Sequence, residues 1–257
     1  MAMNRASFAK MLEPGLNTLF GLEYDSYPAE YEAVFESNTS QKAFEEDVLL
    51  AGFGSAPTKN EGASVSYDDA GQQWTARYQH ETVALAFSIT EEAEEDGQYG
   101  SIASRYTKAL ARSMASTKEI KAANVLNNAT SANIGDGTTL LSTSHPTQNG
   151  NQSNTLATAA DLSETSLESI LIQIADMKDE RGLRIAAQGT RLVIPTAYTF
   201  VAERLLESQL RTGTADNDIN AIKSGGYLPG GYHVMRRLTD SDAFFVLTDV
   251  PDGLKMF

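Results

Sequence analysis

Ser142-Thr143-Ser144-His145-Pro146 sets a hydroxyl beside an imidazole, the two groups an acyl-transfer enzyme uses as nucleophile and general base. The spacing argues against that use. Adjacent residues of an extended segment point to opposite sides, and no Gly-x-Ser-x-Gly elbow presents the hydroxyl at a strand-to-helix turn. A hydrolase using Ser144 and His145 therefore stands only as an alternative. Metal chemistry finds no better footing. His80, His145 and His233 lack ligand spacing, so each reads as a surface or internally satisfied residue. Asp136 between glycines, and Asp216-Asn217-Asp218, offer hard oxygens, but neither fits a calcium-loop pattern and both read as turn and cap residues. Gly225-Gly226 and Gly230-Gly231 flank Tyr227-Leu228-Pro229 with no Lys-Ser/Thr after them, so no phosphate loop is expected. Without cysteine there is no disulfide and no thiolate. The expectation is a protein that is not an enzyme, with no catalytic residue, cofactor or metal.

Composition narrows the class. The chain has 257 residues and a formal charge of −14, from 34 acids against 20 bases. That balance disfavours tight binding to nucleic-acid phosphate or to an anionic membrane surface. No apolar run approaches the roughly 20 residues that span a bilayer, and the N-terminus lacks the apolar core of a signal peptide. The chain is expected to be made in the cytoplasm.

The elements that would position any site are unusual in length. The stretch from Tyr67 to Thr90 opens on a turn signal, Asp68-Asp69-Ala70-Gly71, which predicts a hairpin entered through Val65 and Tyr67. Nearly twenty residues follow without Gly or Pro, about 60 Å if fully extended. Trp74, Ala76 and Tyr78 keep one alternation; Val83, Leu85, Phe87 and Ile89 keep the other. The change of phase implies a bulge or a change of neighbour, and two ordinary strands kinked at His80-Glu81 are the plainer alternative. The acidic run Glu91-Glu92-Ala93-Glu94-Glu95-Asp96 then leads into a helix predicted over about 98–128, with Ile102, Tyr106, Leu110, Met114, Thr117, Ile120 and Ala123 as its apolar face.

Around this spine, residues 1–50 read as short pieces, with Phe8 to Leu19 broken at Pro14-Gly15. Residues 130–160 read as a polar loop with one strand, Thr139 to Leu141. A compact α/β unit follows. It has a helix capped by Asp161 and ended by Gly182, a buried strand Arg191 to Ile194, a helix capped by Thr196, and strands at 232–238 and 243–248.

These parts in this order resemble the major capsid proteins of tailed phages, the Hong Kong 97-type fold, and most closely the group that includes the major head subunit of phage Mu. The likeness is carried by Leu141 to Pro146, Leu156 to Ser163, Gly213 to Asn220 and Thr248 to Lys255. It implies an α+β fold with an N-terminal arm (1–50), an extended β-hairpin loop (51–90), a peripheral domain with the spine helix (91–160) and an apical domain (161–257). It also implies an icosahedral shell of hexamers and pentamers enclosing double-stranded DNA without tight or specific binding, with portal, decoration or scaffolding proteins as partners, and no membrane. The protein would reside in the virion, after synthesis in the host bacterial cytoplasm. The extended loop would lie across a neighbouring subunit through Tyr67, Asp68, Asp69, Trp74, Arg77 and Tyr78. Two departures are expected: no closing strand after the apical domain, since the chain ends at Phe257, and no covalent crosslink, since the tip lacks lysine and Lys59 lies at the base. An encapsulin-like compartment shell is the alternative with the same architecture.

Overall fold

The computed structural model describes the backbone of residues 6–88, 99–211 and 218–257. The acidic run at 91–96 and Asp216-Asn217 lie outside the described residues. The chain divides into two compact units: Met1–Tyr31 with Glu81–Ala122, and Glu32–His80 with Ala123–Phe257.

The first unit is built on α1 (Ala6–Asp25) and the greater part of α2 (Tyr99–Asn127). α1 runs unbroken through Pro14-Gly15, where a break is expected from the sequence. Proline forfeits one backbone donor, and the turns on either side keep their own hydrogen bonds across a 20-residue helix. α2 has the predicted extent but buries a different face. Ala103, Thr107, Ala111, Glu119, Ala122, Ala123 and Leu126 are its buried positions, so of the expected face only Ala123 is fully covered, whereas Tyr106 is 54% and Ile120 45% exposed. Small residues let the neighbouring chain approach closely. There the backbone N–H of Glu30 donates to Glu119 Oε1 at 2.8 Å, and Lys118 Nζ donates to the Tyr31 hydroxyl at 2.6 Å. Phe87 packs on Tyr106, ring centroids 5.9 Å apart.

The second unit holds every described strand. β1 (Glu36–Ser37) pairs in parallel with β9 (Lys255–Met256), and β2 (Phe44–Ala51) pairs antiparallel with β3 (Gly71–Gln79). β4 (His145–Thr147) and β5 (Gly150–Gln152) form a small hairpin inside the stretch expected to be loop; Thr139 to Leu141, expected to be a strand, makes only an isolated bridge from Thr139 to Asn133. A three-stranded sheet places β6 (Gly189–Ile194) between parallel β7 (Tyr232–Val234) and antiparallel β8 (Phe245–Thr248). α3 (Glu164–Ala175), α4 (Thr199–Glu207) and α5 (Ala221–Gly225) pack on it.

The core of this lobe is Leu162, Leu167, Leu192, Ile194, Ala202, Leu206, Ile222 and Leu228. The second half of β6, Leu192 to Ile194, is apolar without alternation because both of its faces are covered. Caps differ from expectation in detail. Ser163, not Asp161, caps α3: its hydroxyl accepts from the Ser166 N–H while Ser166 Oγ accepts from the Ser163 N–H. α3 ends at Ala175, and Gly182 instead holds a left-handed turn at φ 87°. Thr196 opens a short 3-10 turn, and α4 starts only at Thr199.

Candidate functional site: the hairpin and its anchors

The hairpin is the feature that no internal packing explains. Its two strands are β2 and β3, joined by residues 52–70, which carry no strand. The expected nineteen-residue strand is thus nine residues long, and its partner is Phe44–Ala51 rather than the segment around Val65 and Tyr67. Strand pairing is a long-range choice, so the local turn signal misled. Asp68 does not reverse the chain. Its carboxylate accepts from the Gly54 N–H at 2.8 Å and the Asp69 N–H at 3.0 Å, closing the base of the loop. The tight turn within the loop is at Asn60–Ala63, with Gly62 at φ 77°.

After Gln79 the chain leaves the sheet. Residues 81–88 belong to the first unit, where Phe87 meets Tyr106. The phase change in the sequence marks that change of neighbour; of the two strands kinked at His80-Glu81 in the plainer reading only the first forms, since residues 81–88 carry no strand.

Three contacts hold the hairpin to its own lobe. Trp74 packs against Gly135, where a Cβ would stand 2.4 Å from the indole Cε3; only glycine admits the ring. Tyr78 packs on Phe257 at 5.1 Å between centroids. Lys255 Nζ, its side chain only 10% exposed, sits 2.7 Å from both Asp47 and Asp252, and these hydrogen bonds hold its ammonium well above the usual lysine range. A fourth tie comes from Arg181 Nη2, 2.6 Å from Asp68 Oδ1. The Gly54 N–H first and Arg181 second hold the Asp68 carboxyl below its ordinary range.

The turn that seats Trp74 has its own support. Asp136 accepts from the Thr138 N–H at 2.9 Å and pairs with His145 Nδ1 at 2.6 Å. Burial works to raise its pKa, but these bonds outweigh it and the carboxyl is lowered. This pair resembles the acid–base half of a hydrolase triad, yet His145 Nε2, where a nucleophile would sit, is buried without a hydrogen-bond partner. Ser144 is exposed, and its N–H donates to Ser142 Oγ. The geometry gives Ser144 no activating base.

The six residues assigned to the loop interface fall into three groups. Trp74 and Tyr78 face the hairpin's own lobe. Arg77 lies on the outer face directly opposite Glu46, with Nε 2.7 Å from its carboxylate and the guanidinium 4.4 Å from the Phe44 ring. Tyr67 (94% exposed), Asp68 and Asp69 lie in the loop. Sequence reasoning missed the apolar outer edge of β2, where Phe44, Val48 and Leu50 are exposed, and Phe53 and Val65 in the loop. Phe44-Glu45-Glu46-Asp47-Val48-Leu49-Leu50 does not alternate cleanly, so periodicity gave no signal for that exposed face. β2 mixes polar and apolar side chains on both faces: Glu45, Asp47, Leu49 and Ala51 lie on the less exposed side, and Phe44, Val48 and Leu50 are exposed beside Glu46.

An apolar face left open on an anchored hairpin marks an interaction surface. A profile of phage capsid protein matches residues 72–256. The chain belongs to the phage capsid protein family; it is a major capsid protein, a structural subunit of a phage head. Its mixed helix-and-strand fold is similar to three solved shells of bacteriophage JBD30. The capsid subunit aligns with TM-score 0.59 at 14% identity over 82% of this chain and 90% of that one. The capsid decorated with minor capsid protein trimers aligns at 0.62 and 15%, over 83% and 92%. The procapsid aligns at 0.57 and 15%, over 91% and 99%. No curated protein matches the sequence.

Proposed function

We propose that each copy closes the shell by laying its β2–β3 hairpin and residues 52–70 across a neighbouring copy. The observation that carries this reading is the exposure of Leu50 (68%), Phe53 (62%), Val65 (63%) and Tyr67 (94%) on one hairpin and its loop. A lone two-stranded hairpin is marginal in water, and at about 25 cal/mol per Å2 these side chains are worth several kcal/mol once covered. Tyr67, Asp69 and Arg77 are the members of the six-residue set that face outward. Trp74, Tyr78 and Asp68 hold the hairpin in position.

The finer assignment follows the same line. The fold is of the Hong Kong 97 type, in the group of the phage Mu head subunit, with an arm, extended loop, peripheral domain and apical domain near 1–50, 51–90, 91–160 and 161–257. The subunits form hexamers and pentamers around double-stranded DNA, joined by a portal and, as in the JBD30 capsid, by a decorating protein. The role is structural and not enzymatic; synthesis takes place in the host cytoplasm.

The test is a loop replacement. Residues 53–69 are exchanged for a short Asn-Gly turn. The variant should unfold at the wild-type temperature, since the lobe keeps its core, and should form no shells by negative-stain microscopy. Normal shells from this variant would overturn the proposal.

A further inference from the structure

We propose that the stripe Arg105, Lys108 and Arg112 on α2, with the groove beside it, is a contact for the phosphate backbone of duplex DNA. This rests on the reading of the chain as a subunit of a DNA-filled shell. The first observation is a segregation of charge. α2 carries five bases (Arg105, Lys108, Arg112, Lys118, Lys121) and one acid, Glu119, hence a net charge of +4 in a chain whose total is −14. The single acid is buried, so it does not offset the bases at the surface. Chance scatter in a chain with 34 acids and 20 bases would give the opposite sign.

The second observation is placement. Positions 105, 108, 112 and 116 share one face of a helix with 3.6 residues per turn. All three bases are exposed. A groove of about 590 Å3 lies beside Lys108 and Arg112, lined also by Tyr27, Ser113 and Thr117 and by the apolar Ala109 and Ile120. Among the described residues the carboxylate facing the stripe is Glu23, 3.7 Å from Lys108 and accepting the Tyr27 hydroxyl at 3.2 Å. That leaves two guanidiniums. Among the described residues neither Arg105 nor Arg112 forms an ion pair or hydrogen bond. Their helical neighbours three and four residues away are Ser101, Ile102, Lys108, Ala109, Ala115 and Ser116, none of them acidic.

The chemistry of the lining selects the partner. Unpaired guanidiniums beside serine hydroxyls suit phosphate oxygens, which accept in planar, bidentate fashion. A docked protein would need apolar anchors at the centre of the contact; Ala109 and Ile120 supply some apolar lining to the groove, but the stripe beside it presents three cations. The stripe is about 10 Å long at 1.5 Å per residue, enough for about three successive phosphates of one strand, spaced 3.4 Å along the axis. Two or three contacts per copy make weak binding, at the upper end of the ~10⁻⁴–10⁻⁶ M non-specific range. Repetition over a shell multiplies it by effective concentration. Packaged DNA would be held at many points and tightly at none.

The experiment measures anisotropy of a labelled duplex with the full-length subunit, from about 20 mM salt upward. Expected is sequence-independent binding with a log–log salt slope between about −2 and −3. R105Q/R112Q should reduce that slope by about two and weaken binding about tenfold or more at low salt. The charge-matched control K59Q/K178Q should change affinity less than about twofold, since the effect is local and screened within about 10 Å. No binding by wild type at low salt, or equal loss in both variants, would overturn the proposal. So would displacement by polyglutamate as readily as by unlabelled duplex, which would make the partner an acidic polypeptide. Microscopy of the same preparations separates the two readings: absence of shells from wild type strikes at the capsid assignment, while the DNA titration is read on free subunits.

Discussion

β6 and the β2–β3 hairpin lie in the same unit and are held by different means. Leu192, Val193 and Ile194 are fully buried, with a strand on each side of β6 and helices packed on the sheet. The hairpin has two strands, one open face, and a few point anchors: Gly135 under Trp74, Phe257 on Tyr78, and Lys255 between two aspartates. Burial secures the first; the second is placed by contacts made one side chain at a time. A capsid subunit has reason to keep both. The lobe has its own core, and the hairpin leaves Phe44, Val48 and Leu50 exposed, the face we propose for contact with another copy.

Breaking the lobe should have the largest effect. Leu192→Ala removes a side chain with no exposure from the sheet centre. A loss of about 2–5 kcal/mol is expected from transfer and cavity terms, seen as a lowered denaturation midpoint of the whole unit. A loss below about 1 kcal/mol would mean that the sheet is not the stabilising centre.

Gly135→Ala attacks the hairpin at its tightest seat, where the new Cβ meets the Trp74 ring at 2.4 Å and the Ala76 Cα at 3.3 Å. Overpacking of this kind costs about 1–3 kcal/mol. Hydrogen exchange should quicken in 44–51 and 71–79 while β6 stays protected. Uniform loss of protection would erase the distinction between the two regions.

Acid should separate them more gently. Asp68 and Asp136 have lowered pKa values in the folded protein, so each contributes stability that is present above the unfolded aspartate value of about 3.9 and lost as pH falls through the folded value. Burial raises Glu180, which acts in the opposite sense and softens the change. Lys255 is raised, so its contribution is present below the unfolded lysine value of about 10.4 and lost only as pH climbs through the higher folded value. Exchange at the hairpin base should rise below about pH 4 before the lobe unfolds. Simultaneous loss would show the anchors to be silent.

Arg77→Ala should matter least. The pair with Glu46 is exposed and the ring contact with Phe44 lies on the outer face. Such contacts are worth about 1 kcal/mol or less. A larger drop in subunit stability would move Arg77 into the anchoring set. A loss of shells at unchanged stability would place it in the contact between copies.

Much was legible before any coordinates. The stepping of apolar residues by three and four found α2 to within a residue at each end, and the unbroken apolar run of Leu192 to Ile194 found β6. The phase of Trp74, Ala76 and Tyr78 found the inward face of β3. These are local periodicities, and the backbone geometry that makes them acts within a few residues. What remained hidden depends on which surfaces meet. The buried face of α2 is its small-residue face, because close approach selects alanine over the larger Ile120 and Tyr106, and that choice is made by the chain around Glu30 and Tyr31. The partner of β3 lies at Phe44–Ala51 because strand pairing is decided by register and by anchors such as Asp47 with Lys255, 208 residues apart. Periodicity therefore determined the extent of α2, β6 and the inward phase of β3, because those forces are short in sequence. Only the tertiary structure decided which faces are covered and which are left exposed, because burial is a property of pairs of surfaces.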